Sequence, residues 1–285
     1  MPLLQVVVLG IVQGITEFLP ISSTAHLTLI PWLLHWKDPG LTFDVALHVG
    51  TLVAVLLYFF KTWVNLVLLG LGGKPLFASS RNSSREESET DQNRALFWFL
   101  VVGTIPAAVA GWLFNDRAET TWRQPIVIAS ALILVALLMA WGEKVGRQLK
   151  ELRSVGLADS LVIGFSQALA LVPGVSRSGI TITGGLFRNL TRETAARFSF
   201  LLLTPITAGA ALKKFMEFPH HRVPQTMQTP FLVGIVVSAI VGYATIAFFL
   251  RYLQYGTFKI FIYYRIIFGI IVLALAFWFP RGTGF

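Results

Sequence analysis

The sequence predicts an all-α polytopic membrane protein: an inverted-topology repeat of about six transmembrane helices plus two re-entrant helical hairpins. Three observations predict it. Of 285 residues, 55% are hydrophobic and 13% charged, against about 25% charged in ordinary soluble domains; the mean hydropathy is +0.69. Apolar stretches of about 20 residues recur, each long enough to cross a hydrocarbon core of about 30 Å. Two more apolar stretches are interrupted by Pro, Gly, Ser and a charge, and each opens one half of the chain.

Residues 3–36 are apolar but broken by Glu17-Phe-Leu-Pro20-Ile-Ser22-Ser23. Such backbone survives at membrane depth only when buried in protein or lining a wet cavity, so the segment is read as a re-entrant hairpin. Pro20 is expected in the first turn of the returning helix, with serine at its cap. Spans follow at 45–60, 95–114 and 124–142. Residues 79–93, rich in Ser and mixed charges, read as a solvated loop. A second hairpin, 157–190, is broken by Pro173-Gly-Val-Ser176-Arg177-Ser178-Gly179, and spans follow at 198–212, 230–250 and 260–279. The halves, 1–145 and 155–285, share Gly-x-x-Gln (Gly10, Gln13; Gly164, Gln167), then a Pro and Ser break, then a Phe opening a span (Phe43; Phe198). With three spans each, the second half must start from the opposite side of the membrane. The whole chain, 1–285, is thus one integral membrane domain.

Loop charge orients it. Residues 74–94 and 143–156 carry eight Lys/Arg, and 115–123 carry two. The positive-inside rule places the first two loops in the cytoplasm and both termini outside. The second half leans mildly the other way, with three basic residues in 213–222 and two in 251–259. The N-terminal Met1-Pro-Leu-Leu-Gln5 lacks the basic start of a signal peptide. The net charge of +9 suits loops facing anionic headgroups. No nucleic acid is expected as partner, because the basic residues are dispersed between apolar spans. The absence of cysteine removes thiolate nucleophiles, Cys-ligated zinc and disulfides.

Chemistry concentrates in the two breaks. Gln13 and Glu17, spaced i,i+4, share a helix face, and a carboxylate inside a bilayer marks function by default. Glu17 is read as a divalent-cation ligand or an acid–base group, against a structural contact between helices. Ser23 and His26 are three apart, so a hydroxyl and an imidazole share a face, the geometry in which a base activates a nucleophile; the plainer alternative is a capped helix with a packed histidine. Ser176, Arg177, Ser178 and Thr181 form a Gly/Ser-rich helix start whose free N–H groups make an anion site, with Arg177 as a planar fork for phosphate oxygens. The alternative is an internal Arg177–Glu17 ion pair. If both breaks converge, the assembly suits metal-assisted phosphoryl transfer.

Other candidates are weaker. Asp44 and His48 are i,i+4 and would extend a metal site, but Asp44 sits at a span end where solvent reaches it. Gly70-Leu-Gly-Gly73-Lys74-Pro75 lacks the phosphate-loop pattern, with Leu at 68 and Pro after the lysine. His220 and His221 read as loop residues. Arg265, alone in an apolar stretch, either pairs inside the bundle or snorkels. The eight tryptophans read mostly as interfacial anchors.

The segments Gln13-Gly-Ile-Thr-Glu17-Phe-Leu-Pro20-Ile-Ser22-Ser23-Thr24-Ala-His26 and Pro173-Gly-Val-Ser176-Arg177-Ser178-Gly179-Ile-Thr181-Ile resemble the two signature motifs of the bacterial undecaprenyl-diphosphate phosphatase family, the bacitracin-resistance type. Thr42-Phe43-Asp44, His48-Val-Gly50-Thr51, Phe198-Ser199-Phe200-Leu-Leu and Tyr264-Arg265 fit the same pattern, so the resemblance covers nearly the whole chain. It implies hydrolysis of undecaprenyl diphosphate to undecaprenyl phosphate and inorganic phosphate in the bacterial inner membrane. That reaction recycles the lipid carrier for peptidoglycan synthesis and cell shape. Bacitracin sequesters the diphosphate, so more enzyme implies resistance. The resemblance also implies a divalent cation, Mg2+ or Ca2+, and allows a homodimer. Carried over, the acidic pair falls on Gln13 and Glu17, the metal-binding positions. Here an amide replaces the Glu found in many relatives, so Gln13 is at most a neutral ligand. The catalytic set falls on Glu17, Ser23, His26 and Arg177. Ser22, Ser176, Arg177, Ser178 and Thr181 are the substrate-binding set. Ser23, His26 and water remain open as the nucleophile, and the site is expected to face the outer, periplasmic side. Ala25 replaces a glycine common in relatives. The rival class is a lipid-phosphate transporter or flippase using the same midplane anion site. A purely structural scaffold leaves Glu17 and Arg177 unexplained.

Overall fold

The computed structural model describes residues 1–77, 83–119, 121–217 and 225–278. Eleven α-helices are found among them, and no strand. In the first half these are α1 (Leu3–Thr16), α2 (Ser23–Leu33), α3 (Leu41–Tyr58), α4 (Phe60–Gly70), α5 (Ser83–Glu119) and α6 (Pro125–Val145). The second half holds α7 (Leu157–Leu169), α8 (Arg177–Phe187), α9 (Arg192–Glu217), α10 (Gln225–Leu253) and α11 (Lys259–Trp278). Six helices contain windows long and apolar enough to cross a membrane: those of α3, α5, α6, α9, α10 and α11. The chain is a multi-pass membrane protein.

Five helices are too short to cross: α4 and the four that form the two interrupted pairs. The 14 residues of α1 extend about 21 Å and the 11 residues of α2 about 17 Å, against about 30 Å of hydrocarbon. Helices α7 and α8 are similarly short. Each pair is interrupted where the sequence places its Pro, Gly and Ser residues. The helix starts, however, are Ser23 and Arg177 rather than the prolines, with Ser22 and Ser176 as N-caps. Pro20 and Pro173 lie inside the turns, because each serine side chain already takes the amide of its helix's third residue.

Two further differences have local causes. Helix α4 follows α3 after the single residue Phe59 and packs on α5 through Leu66 and Leu69. Of the segment 79–93 expected as a loop, residues 83–93 are helical, and the rest lies outside the described residues. Its Arg and Glu residues are good helix formers despite their charge. His220 and His221 also lie outside the described residues.

Helix α1 packs on α10 and α2, while α7 packs on α5 and α8; α3 joins α9, and α6 joins α11. Phe18, in the first break, is fully buried with its ring edge-on to Phe200 of α9 at 5.2 Å. The first break is thereby anchored in the largest apolar core cluster. Helix contacts use small residues, as in membrane bundles generally. Gly164 of α7 lies against the backbone of Gly103 in α5, where a Cβ would collide with the carbonyl. Nearby, the Ser160 hydroxyl donates to the Phe99 carbonyl.

Gly164→Ala tests this packing. Helix propensity favours alanine by about 1 kcal/mol, but overpacking against rigid backbone costs about 1–3 kcal/mol. The expected result is a lower thermal unfolding midpoint in detergent. Gly209→Ala in α9, where nothing lies within 4 Å of an added Cβ, should leave the midpoint unchanged or raise it. Equal behaviour of the two variants would refute close α5–α7 packing.

Candidate active site

The two breaks meet. Ser178 Oγ, from the second motif, donates to the Leu19 carbonyl in the first break at 3.2 Å. Arg265, from α11, reaches both breaks: Nη1 donates to Pro20 O at 3.1 Å, and Nη2 to Gly174 O and Val175 O, each at 3.0 Å. Its Nε donates to Leu132 O of α6 at 3.1 Å. Arg265 is fully buried, so of the two alternatives for this residue it pairs inside the bundle, with carbonyls as its partners. The sequence marks it only as a lone charge.

Ser22 and Ser176 occupy equivalent places. Both have positive φ, 76° and 68°, a region that non-glycine side chains rarely adopt and that costs of order 1–3 kcal/mol. Ser22 Oγ accepts from Ala25 N at 3.4 Å, and Ser176 Oγ from Gly179 N at 3.1 Å. The two helix N-termini border one narrow cleft of about 30 Å³, whose polar lining is Glu17, Ser22, Ser23, Thr24, Ser176 and Arg177.

Glu17, 4% exposed, organises this lining. Its Oε2 accepts from Ser23 Oγ at 2.6 Å and from Gln13 Nε2 at 3.1 Å. Arg177 Nη2 stands 3.8 Å from Oε1, so the acid of one break and the guanidinium of the other share one place. Arg177 Nη1 donates to Thr207 Oγ1 of α9 at 2.6 Å. Glu17 Oε1 and Gln13 Oε1 are buried without a hydrogen-bond partner. Two such oxygens fit a hard cation, which takes oxygen ligands and shares them with substrate phosphates. Among the described residues no three His, Asp or Glu side chains gather as a ready-made metal cage.

The expected Ser23–His26 pair is not made. His26 Nδ1 lies 2.7 Å from the Ser22 carbonyl, which only accepts, so Nδ1 carries the hydrogen. Nε2 then accepts from Tyr264 Oη at 2.6 Å, and the ring stacks on Phe268 at a centroid distance of 4.8 Å. Both ring nitrogens are thus engaged away from Ser23, whose proton acceptor is Glu17. Helical Cα–Cβ bonds tilt toward the N-terminus, so Ser23, first in its helix, reaches back into the turn holding Glu17. Ser178 and Thr181 sit behind the cleft. Thr181 donates to Arg177 O at 2.7 Å and pairs with Ser199 Oγ at 2.6 Å.

Asp44 and His48 do not share a site through their side chains. Asp44 pairs with Arg123 at 3.4 Å, whereas His48 Nε2 lies 3.4 Å from Glu17 Oε2. Thr24 and Thr207 are absent from the expected site, while His48 enters it only as a weaker metal candidate and Tyr264 only as part of the resemblance. The clue to His48 was its spacing from Asp44, but that spacing does not reveal its contact with Glu17.

Residues 6–271 match the sequence profile of a family described as Bacitracin resistance protein BacA. The chain is similar to a protein named Undecaprenyl-diphosphatase from Moorella thermoacetica, 48% identical over 281 residues, covering 99% of this chain and all of that one. A protein of the same name from Pelotomaculum thermopropionicum is 45% identical over 276 residues, 97% of each chain. Another from Trichlorobacter lovleyi is 47% identical, covering 96% of this chain and 97% of that one. With both breaks inside the matched region and relatives aligned almost end to end, the chain belongs to the bacitracin resistance protein BacA family.

Proposed function

We propose that the protein hydrolyses undecaprenyl diphosphate to undecaprenyl phosphate and inorganic phosphate, with the diphosphate in the cleft and the prenyl tail in lipid. The names of its relatives support the substrate. The observation that carries the chemistry is the 2.6 Å hydrogen bond from Ser23 Oγ to Glu17 Oε2 at the lip of a cleft that also holds Arg177. An anion carrier has no use for a hydroxyl paired with a buried carboxylate; a phosphatase does.

Glu17 takes the Ser23 proton as Oγ bonds to the terminal phosphorus. The bond from that phosphorus to the bridging oxygen breaks, and undecaprenyl phosphate leaves with the proton returned by Glu17. Water then attacks the phosphoserine, losing a proton to Glu17. The Oγ–P bond breaks, Ser23 regains its proton, and inorganic phosphate departs. Arg177 and the amides behind the Ser22 and Ser176 caps stabilise the charge on the phosphate oxygens. Gln13 and Glu17 would hold a divalent cation through Oε1 of each, and when bound it neutralises phosphate charge. His26 holds the Ser22 carbonyl, and so the shape of the cap.

The same reading makes the two halves an inverted repeat with re-entrant pairs α1–α2 and α7–α8. Its support is that α1 packs on α10 as α7 packs on α5, while α3–α9 and α6–α11 each join helices at equivalent places. The cleft would open to the periplasmic side of the inner membrane. There the enzyme recycles the cell-wall lipid carrier and lowers the diphosphate pool that bacitracin sequesters.

In detergent, Ser23→Ala and Glu17→Gln should each lower phosphate release roughly 10²–10⁴-fold, and His26→Asn should lower it less. Trapped phosphate label is expected on Ser23; label on His26, or full activity in Ser23→Ala, would remove the serine mechanism. Binding of the diphosphate with no release would favour the transporter. EDTA should abolish release, and Mg2+ or Ca2+ should restore it; release unaffected by EDTA would end the cation assignment. The chain lacks cysteine, so single introduced thiols report sidedness. Asp38→Cys should react with an impermeant maleimide added outside intact cells, and Arg147→Cys should react only after lysis. The reverse pattern would invert the topology.

A further inference from the structure

We propose that His48 is a positioning residue for Glu17: it fixes which carboxylate oxygen takes the serine proton and which faces the cleft. The inference rests on the phosphatase reading above and extends it to a third helix. The His48 ring is held from its own helix, because Nδ1 lies 2.7 Å from the Asp44 carbonyl, an acceptor. That bond turns Nε2 outward, where it lies 3.4 Å from Glu17 Oε2; with an acceptor facing each nitrogen, both carry hydrogen and the ring is an imidazolium that donates to the carboxylate. The same oxygen receives Ser23 Oγ from α2 and Gln13 Nε2 from α1. One oxygen of one carboxylate is therefore where three helices meet.

The other oxygen is treated differently. Glu17 Oε1 has no hydrogen-bond partner and faces Arg177 at 3.8 Å. The terminal torsion of a glutamate is broad and roughly two-fold. Gln13 and Ser23 lie close to Glu17 in sequence, on the helix before the break and at the start of the helix after it. A contact from α3 crosses to Glu17 from a separate element and opposes rotation that would exchange the two oxygens. Asp44 does not compete for the histidine side chain, since its carboxylate pairs with Arg123. His48 does not line the cleft, so it acts through Glu17.

The test measures kcat and KM for phosphate release from a prenyl diphosphate in detergent, for wild type and the variants His48→Leu, His48→Gln and His48→Asn. Gln keeps an N–H at about the reach of Nε2, Asn falls short, and Leu fills the space without a donor. Loss of a residue that orients a ligand carboxylate typically costs 10–100-fold. His48→Leu should therefore lose about that much kcat with KM within about threefold, and His48→Gln should recover most of it. A His48→Leu enzyme as active as wild type, or a His48→Gln enzyme as impaired as His48→Leu, overturns the assignment. If His48→Leu does not remain monodisperse, the other pair decides: an active Gln with a crippled Asn variant supports positioning, and equal activities refute it. Wild type that releases no phosphate takes down the phosphatase reading itself, and this assignment with it.

Discussion

The guanidinium of Arg265 is the constraint on which the site depends. Each helix break leaves carbonyls without helical partners, and an unpaired backbone group inside a membrane protein costs several kcal/mol. Arg265 answers three of these carbonyls, Pro20 from the first break and Gly174 and Val175 from the second. A planar fork spans only a few ångströms, so the breaks have no freedom to sit elsewhere. The charge itself is fully buried, and no carboxylate lies within ion-pair distance of it among the described residues. Four carbonyl dipoles offset part of its desolvation. The remaining positive field lies just behind a cleft suited to a multiply charged anion.

A second layer of constraint acts on the caps. Ser22 and Ser176 hold positive φ, and this strain persists only where the surroundings over-determine it. The surroundings are specific: His26 binds the Ser22 carbonyl, Tyr264 binds His26, and Arg265 is the next residue in α11. Helix α11 therefore shapes the cleft from two adjacent side chains without lining it. Ser178 performs a comparable task from the second motif by binding Leu19 O. The residues expected to bind phosphate thus divide into those that line the cleft and those that pack behind it.

Much of this was legible from the residues. Breaks in apolar stretches announced four of the five short helices, and a carboxylate and a guanidinium at those breaks announced Glu17 and Arg177. What spacing cannot convey is direction. Ser23 and His26 share a helix face by counting, yet Ser23 leans back toward Glu17 and His26 folds onto the carbonyl one turn before it. Composition misleads at residues 83–93 in the other sense, because charged residues there are also strong helix formers. The contacts of His48, Thr207 and Tyr264 cross 31, 30 and 238 positions of sequence, and no local pattern encodes such pairings.

The spacing between Glu17 and Arg177 favours the proposed site over an internal structural ion pair. A buried structural pair closes to hydrogen-bond distance, about 2.7–2.9 Å, because only good geometry offsets the desolvation of two charges. Here the groups stand 3.8 Å apart. Thr207 holds one arm of the guanidinium at 2.6 Å, while Gln13 and Ser23 hold the far oxygen of the carboxylate. Both charges are restrained by third parties just short of each other, and Glu17 Oε1 and Gln13 Oε1 keep their lone pairs free. A phosphate oxygen can join Arg177 without first breaking a closed salt bridge. On the serine mechanism proposed above, the acid stays tied to the nucleophile throughout, and such a site would be organised for chemistry before substrate arrives.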